Sequence, residues 1–179
     1  MPTPSSNNPA PRERLLAAAD QLFYEEGIAT VGVDRILKQS DVARASLYST
    51  YGSKDELIRA YLEARSQGWQ ALVAEVLPVR WDSARDRILG IYELLTEWFG
   101  APGYRGCPFI NASAEAASSQ AVETVRDHHR AWVRTLFTDL TRDAEAEDPD
   151  ALAAQLVLLY DGAMVGAQLD NSAAPGRAA

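Results

Sequence analysis

From Arg12 onward the apolar residues of this chain recur at intervals of three and four, and nowhere do they alternate with polar residues over a useful length. Spacing of that kind lays apolar side chains along one stripe of a helix, whereas a half-buried strand needs every second residue apolar. The Asn-Gly hairpin signal is also missing. The chain therefore reads as all-α, with no internal repeat. Leu15, Leu16, Ala19, Leu22 and Phe23 define a first helix of about four turns, which Gly27 suits as a C-cap. Val33, Ile36 and Leu37 mark a short second helix. A polar break at Ser40 and Asp41 follows, and Leu47, Tyr48 and Tyr51 mark a third helix that ends at Gly52.

Ser53-Lys-Asp-Glu56 is a capping box, so a fourth helix starts there. Its apolar positions run from Leu57 to Leu77 and stop before Pro78, about 16 Å beyond a minimal three-helix unit at about 1.5 Å per residue. A helix of that length bridges two parts. Further helical patterns cover about 82–99, with Asp82 as N-cap, then 112–117, 121–142 and 149–169, the last with Pro149 in its first turn. Residues 1–10, rich in Pro, Ser and Asn, read as a flexible arm. The final NSAAPGRAA is a poor last helix.

Composition narrows the function classes. The longest apolar runs, Ala151 to Ala154 and Leu156 to Tyr160, fall far short of the roughly 20 residues of a membrane span, and the N-terminus lacks the pattern of a secretory signal. The expectation is a cytoplasmic protein with no membrane partner. A single cysteine, Cys107, and two histidines supply neither an intramolecular disulfide nor a CxxC metal site, so no metal and no cofactor are expected. There is no G-x-S-x-G, P-loop, G-x-G-x-x-G or H-E-x-x-H pattern, and catalysis is not expected. The net charge of −8 argues at first against a nucleic-acid partner. Its distribution argues otherwise, because residues 1–65 carry −1 and residues 66–179 carry −7. Between Arg35 and Lys54 four basic residues face one acidic residue, Asp41.

The segment 33–51 has the dimensions of a helix-turn-helix, with Ile36, Val42 and Leu47 spaced to clamp its two helices to the first. Arg44, Ala45, Ser46, Tyr48, Ser49 and Thr50 are then left on the outer face. Arg44 suits a bidentate bond to guanine, the hydroxyls suit phosphates or base edges, and the Ala45 methyl suits a thymine methyl. Lys54 stands at a helix N-terminus, where its ammonium and the free N–H groups attract phosphate.

Residues 12–64 resemble the DNA-binding domain of the TetR family of bacterial transcriptional regulators. The resemblance rests on RERLLAAADQLFYEEG, GVDRIL, VARASLYSTY and SKDEL in that order and spacing. It implies a homodimer on double-stranded operator DNA. A helix-turn-helix domain at 11–65 would be followed by a helical effector-binding and dimerisation domain at 66–179. The DNA-binding set it implies is Val33, Arg44, Ala45, Ser46, Tyr48, Ser49, Thr50 and Lys54, with Tyr48 and Lys54 as phosphate contacts. Three positions depart from the family pattern: Asp41 where the turn usually has glycine, Ala43 where serine commonly caps, and Gly32 where threonine often bonds phosphate.

Further along, the run from Gly106 to Glu115, GCPFINASAE, resembles a segment that lies by the effector cavity in one branch of the family. The expected pocket for a small, mainly apolar effector is Trp69, Trp98, Cys107, Phe109, Asn111, Trp132 and Tyr160. The same aromatics would equally suit an ordinary helical core. For Cys107 a buried small hydrophobe outweighs a redox sensor, since no resolving cysteine or adjacent lysine is visible. Of His128 and His129, one is expected to pack and one to be solvated. Gly162, Ala163, Gly166 and Ala167 offer a face for close helix approach in a dimer. The leading reading is a repressor released from a palindromic operator by an effector. The alternative is a helical ligand-binding or adaptor protein that does not bind DNA, and salt dependence separates them. DNA binding by such a dimer implies a slope of log K on log salt of about −5 to −7.

Overall fold

The computed structural model describes residues 9–179, so the flexible-arm expectation lies almost wholly outside the described residues. Among them run nine helices and no strand: α1 (Pro11–Glu26), α2 (Val33–Ser40), α3 (Arg44–Tyr51), α4 (Lys54–Arg80), α5 (Ala84–Phe99), α6 (Pro108–Glu115), α7 (Gln120–Asp143), α8 (Pro149–Asp170) and α9 (Ala174–Ala178).

Local chemistry sets most of these bounds. Pro11 opens α1, and Gly27 closes it at φ 92°, donating to the Phe23 carbonyl. The turn between α2 and α3 begins at Asp41, held left-handed at φ 51° and ψ 48°, a conformation that Asp tolerates better than most residues. Ala43 caps α3 with no side-chain bond. Ser53 Oγ accepts from the Glu56 N–H at 3.1 Å to start α4.

Four expectations are corrected here. Helix α4 continues through Pro78 to Arg80. Proline near a helix end sacrifices one hydrogen bond, and the Arg80–Glu97 pair (2.7 and 3.1 Å) anchors the turn beyond it. Ser83, not Asp82, caps α5 by accepting from the Asp86 N–H at 3.1 Å. Helix α6 begins at Pro108 rather than at 112, because proline at the first position needs no N–H partner. The terminal segment does form a helix, the short α9, which packs on α5 and α8.

The core is continuous from end to end of the molecule. Leu15, Leu22, Ile36, Leu47, Leu57 and Leu62 fuse α1–α4 into one head. Ile36, Val42 and Leu47 are all buried, as the clamp requires. Ile91, Leu95, Val122 and Phe137 join α5 and α7 in the remainder, where α7 and α8 lie side by side. Helix α4 belongs to both regions, touching α1 and α3 near its start and α5, α6 and α7 beyond. Residue 65 lies within it.

Helix α8 is the one described helix long and apolar enough, by length and composition, to cross a membrane. Its apolar residues divide between two faces. Ala153, Val157, Tyr160, Met164 and Ala167 point inward, and Leu158, Gly162, Val165 and Leu169 form an outward stripe, with Leu158 71% and Leu169 79% exposed.

Candidate nucleic-acid interface and cavity

The outer side of α3 carries Arg44, Ala45, Tyr48 and Ser49 in the open, with Ser46 and Thr50 half-buried. Tyr48 is 46% exposed, an unusual position for an aromatic ring without a partner. Ser49 Oγ donates to the Ser46 carbonyl at 3.1 Å. Tyr51 turns the other way and donates to the Arg12 carbonyl at 3.0 Å, tying α3 to the start of α1. Val33, at the start of α2, is half-buried and packs against the core.

Charge at this surface is more balanced than the sequence suggested. Arg44 is paired with Asp34 on α2, and Arg35 with Glu26 on α1 at 2.6 Å. Lys54 donates to the Ile28 carbonyl at 2.6 Å, with its ammonium 5.9 Å from the centre of the Phe23 ring. That ammonium fastens α4 to the end of α1. Arg14 lies 3.8 Å from Asp41 across the turn.

A cavity of about 440 Å³ lies between α4, α5, α6, α7 and α8. Trp69, Trp98, Cys107, Phe109 and Tyr160 line it. Asn111 and Trp132, grouped with them from the sequence, do not. Asn111 turns aside to donate to the Arg105 carbonyl at 2.8 Å, and Trp132 sits behind His129, ring centres 6.0 Å apart. Sequence reasoning missed Asp20, Arg65, His129 and Met164 on the walls. A second lobe of about 200 Å³ reaches Ser113, Arg126, Arg130 and Asp161. Between the lobes Phe109 and His129 stack face to face, 4.0 Å apart and 12° from parallel. His128 is exposed.

Burial decides the protonation of these walls. The His129 imidazole is pulled down to about 4, chiefly by desolvation and further by the Arg130 charge, so the ring is neutral near pH 7. Desolvation pushes the Cys107 thiol up to about 11, which removes the thiolate that oxidation needs. The Tyr160 phenol is raised well above its ordinary value by burial and stays protonated.

Two of the joints between the cavity walls and the head are made by carboxylates. Asp20 of α1 and Arg65 of α4 form a bidentate pair at 2.6 and 2.9 Å, with the guanidinium 4.2 Å from the centre of the Tyr24 ring. Glu115, at the far end of α6 from Cys107 and Phe109, accepts from the Ala29 N–H at 2.9 Å. A Cβ on Gly27 would meet that carboxylate at 2.6 Å, so glycine serves both the turn and the approach.

Of the predicted dimer residues, Ala163 and Ala167 are buried within the chain, and Gly166 faces Pro175 of α9. Those three sites are already occupied from inside. Only Gly162 opens outward.

Comparison with known proteins fits this geometry. Residues 15–61 match the family model for bacterial regulatory proteins of the tetR family. Over nearly its whole length the chain is similar to a solved TetR-family transcriptional regulator of Streptomyces coelicolor. That likeness has 34% identity and a TM-score of 0.87 and covers 94% of this chain and 89% of that one. The chain belongs to the TetR family. As a TetR-family member the protein is a DNA-binding transcriptional regulator, with α2 and α3 as its helix-turn-helix. Within the family it is 27% identical to the transcriptional repressor NemR of Escherichia coli over 173 residues, 92% of this chain and 87% of that one. The solved structure of reduced NemR superposes with a TM-score of 0.84, covering 93% and 91% of the two chains.

Proposed function

We propose that this protein is a homodimeric repressor that presents two copies of α3 to successive major grooves of a palindromic operator and is released by a small molecule held in the cavity. It acts in the cytoplasm, where operators are found, and performs no catalysis. A reading head at 11–65 and an effector and dimerisation region at 66–179 meet inside α4. The observation that carries this reading is a shared wall. Asp20 belongs to the head, yet it edges the cavity together with its partner Arg65.

A ligand that binds better to a conformer with α4 and α6 displaced pulls on both joints, Asp20–Arg65 and Glu115–Ala29. The head then turns, and the two recognition helices lose the groove spacing of about 34 Å. The outward stripe of α8 supports the dimer, since apolar residues on one unpartnered helix face suit burial against a second copy. On the head, Arg44 reads a base, while Tyr48, Ser49 and Thr50 hold the backbone. Lys54 serves the Ile28 joint and reaches phosphate only by leaving it.

Selection of bound duplexes from a random library at moderate salt tests the reading, with Arg44→Ala as control. The native protein is expected to enrich a palindrome, and Arg44→Ala to blur one position per half-site at a cost of about 1–3 kcal/mol. No enrichment at any salt would overturn DNA reading. Enrichment left unblurred by Arg44→Ala would remove that side chain from it.

A further inference from the structure

The charged side chains along the two lobes are paired, which leaves uncharged donors to meet a ligand. Each arginine on the walls has its own carboxylate: Arg65 with Asp20 at 2.6 Å, Arg130 with Asp161 at 2.8 Å, and Arg126 with Asp127 at 2.9 Å. Neither an anion nor a cation entering the cavity finds an uncommitted countercharge among the described residues, and desolvating an unpaired ion is costly.

The donors are different. Gln70 Nε2 donates to Ser66 Oγ at 2.9 Å, and Ser66 Oγ lies 2.9 Å from His129 Nδ1. With the serine hydroxyl donating to Nδ1, the neutral imidazole carries its ring proton on Nε2. That Nε2–H has no acceptor among the described residues. The Tyr160 side chain lines both lobes and stays protonated, with its hydroxyl committed to no acceptor among the described residues. The Trp69 indole N–H is near enough to act on the Tyr160 oxygen but makes no bond of good geometry. Ser113 Oγ, on the smaller lobe, is buried without a partner. The buried Trp69 N–H and Ser113 hydroxyl, left without partners, call for an acceptor, and the Tyr160 hydroxyl lies on the same walls.

Resting on the reading of this cavity as the effector site, we infer that its ligand is an uncharged, largely apolar molecule carrying a carbonyl-type oxygen that accepts from Tyr160 and His129. The apolar body fills the larger lobe beside Trp69 and Trp98. The oxygen lies beside the stacked Phe109 and His129, which line both lobes. A space of about 440 Å³ falls within the range of sites for small organic ligands.

Isothermal titration of the full chain with shape-matched probes tests this. One series is 2-acetylnaphthalene, 2-naphthoate and 2-ethylnaphthalene, and a smaller one is acetophenone, benzoate and ethylbenzene. In at least one series the ketone is expected to bind about tenfold or more tightly than both the carboxylate and the hydrocarbon. Tyr160→Phe and His129→Phe should each weaken the ketone by about five- to tenfold and leave the hydrocarbon within about twofold. Ser113→Ala removes a donor that bonds nothing, so it keeps the test open if either larger substitution prevents folding. It should lower affinity only for a ketone long enough to reach the second lobe, and 1-(2-naphthyl)butane-1,3-dione supplies one.

A carboxylate or hydrocarbon that binds as well as its ketone overturns the inference. So does a ketone preference that no donor substitution alters, or the absence of binding by every ketone in the panel. A ketone that binds as described yet leaves operator affinity unchanged upholds the ligand class and removes release by effector from the proposed function.

Discussion

The side chain with most to say about specificity is held in reserve. Arg44 leans on Asp34, both exposed, and in the proposed function it exchanges that carboxylate for a base edge or phosphate when DNA arrives. Exposed pairs of this kind are worth about 0–1 kcal/mol, so Asp34 taxes binding lightly and discourages loose contact with any polyanion. Asp34→Asn is expected to raise operator affinity by roughly two- to fivefold at fixed salt, measured by fluorescence anisotropy. Unchanged affinity would mean that Asp34 does not compete with DNA for Arg44. His129 supplies a second test at this scale. Its imidazole sits near pKa 4 when folded and near about 6.5 when the chain is unfolded, so unfolding takes up a proton between those values. Stability therefore falls as pH drops through that window, by roughly 2 kcal/mol at pH about 4.5. Urea unfolding at pH about 7 and 4.5 should show that loss in the native protein and a smaller one in His129→Gln. The sequence exposed the outer face of α3 but not the partners of its cations. Asp34 and Arg44 lie ten residues apart on different helices, and Lys54 meets a carbonyl 26 residues away. Pairings of that kind depend on how helices cross, which periodicity does not encode.

Among the helices, those whose ends carry a local signal were legible. Ser53, Pro149, Gly27 and Gly52 each mark a terminus by their own chemistry. The errors fell on prolines and on a choice of neighbours: Pro78 stopped nothing, Pro108 started a helix, and Ser83 outcompeted Asp82 as cap. Helix α8 misled for another reason. Its small residues invited a dimer face, but small residues serve equally where a helix packs closely on its own chain, and Ala163, Gly166 and Ala167 do so. The outward stripe of Leu158, Gly162, Val165 and Leu169 was hidden by its overlap with a nearly uniform apolar pattern. Leu158→Lys with Leu169→Lys should shift the protein toward monomer in sedimentation velocity while far-ultraviolet circular dichroism keeps its helical signal. A dimer that persists unchanged would move the interface elsewhere.

Among the described residues the molecule has one connected core that runs from the reading head into the rest, because α4 is a member of both. The cavity was only half legible from sequence for the same reason. Its aromatic walls lie in stretches of obvious helical period, but Asp20 comes from the opposite end of the fold and Arg65 from a part of α4 assigned to the head. A cavity that controls the head, as in the proposed function, works in both directions. Whatever factor a bound small molecule takes from operator affinity, the operator must take from the affinity for that small molecule, since the two equilibria close a thermodynamic cycle. Titrating ligand into the protein with and without saturating operator should give the same ratio as titrating operator with and without ligand. In the proposed function the DNA is thus itself a competitor for the cavity, though it never enters it. Each vacant operator in the cell makes the protein a slightly poorer receptor, and the sensitivity of the response is set jointly by the number of sites and the chemistry of the pocket.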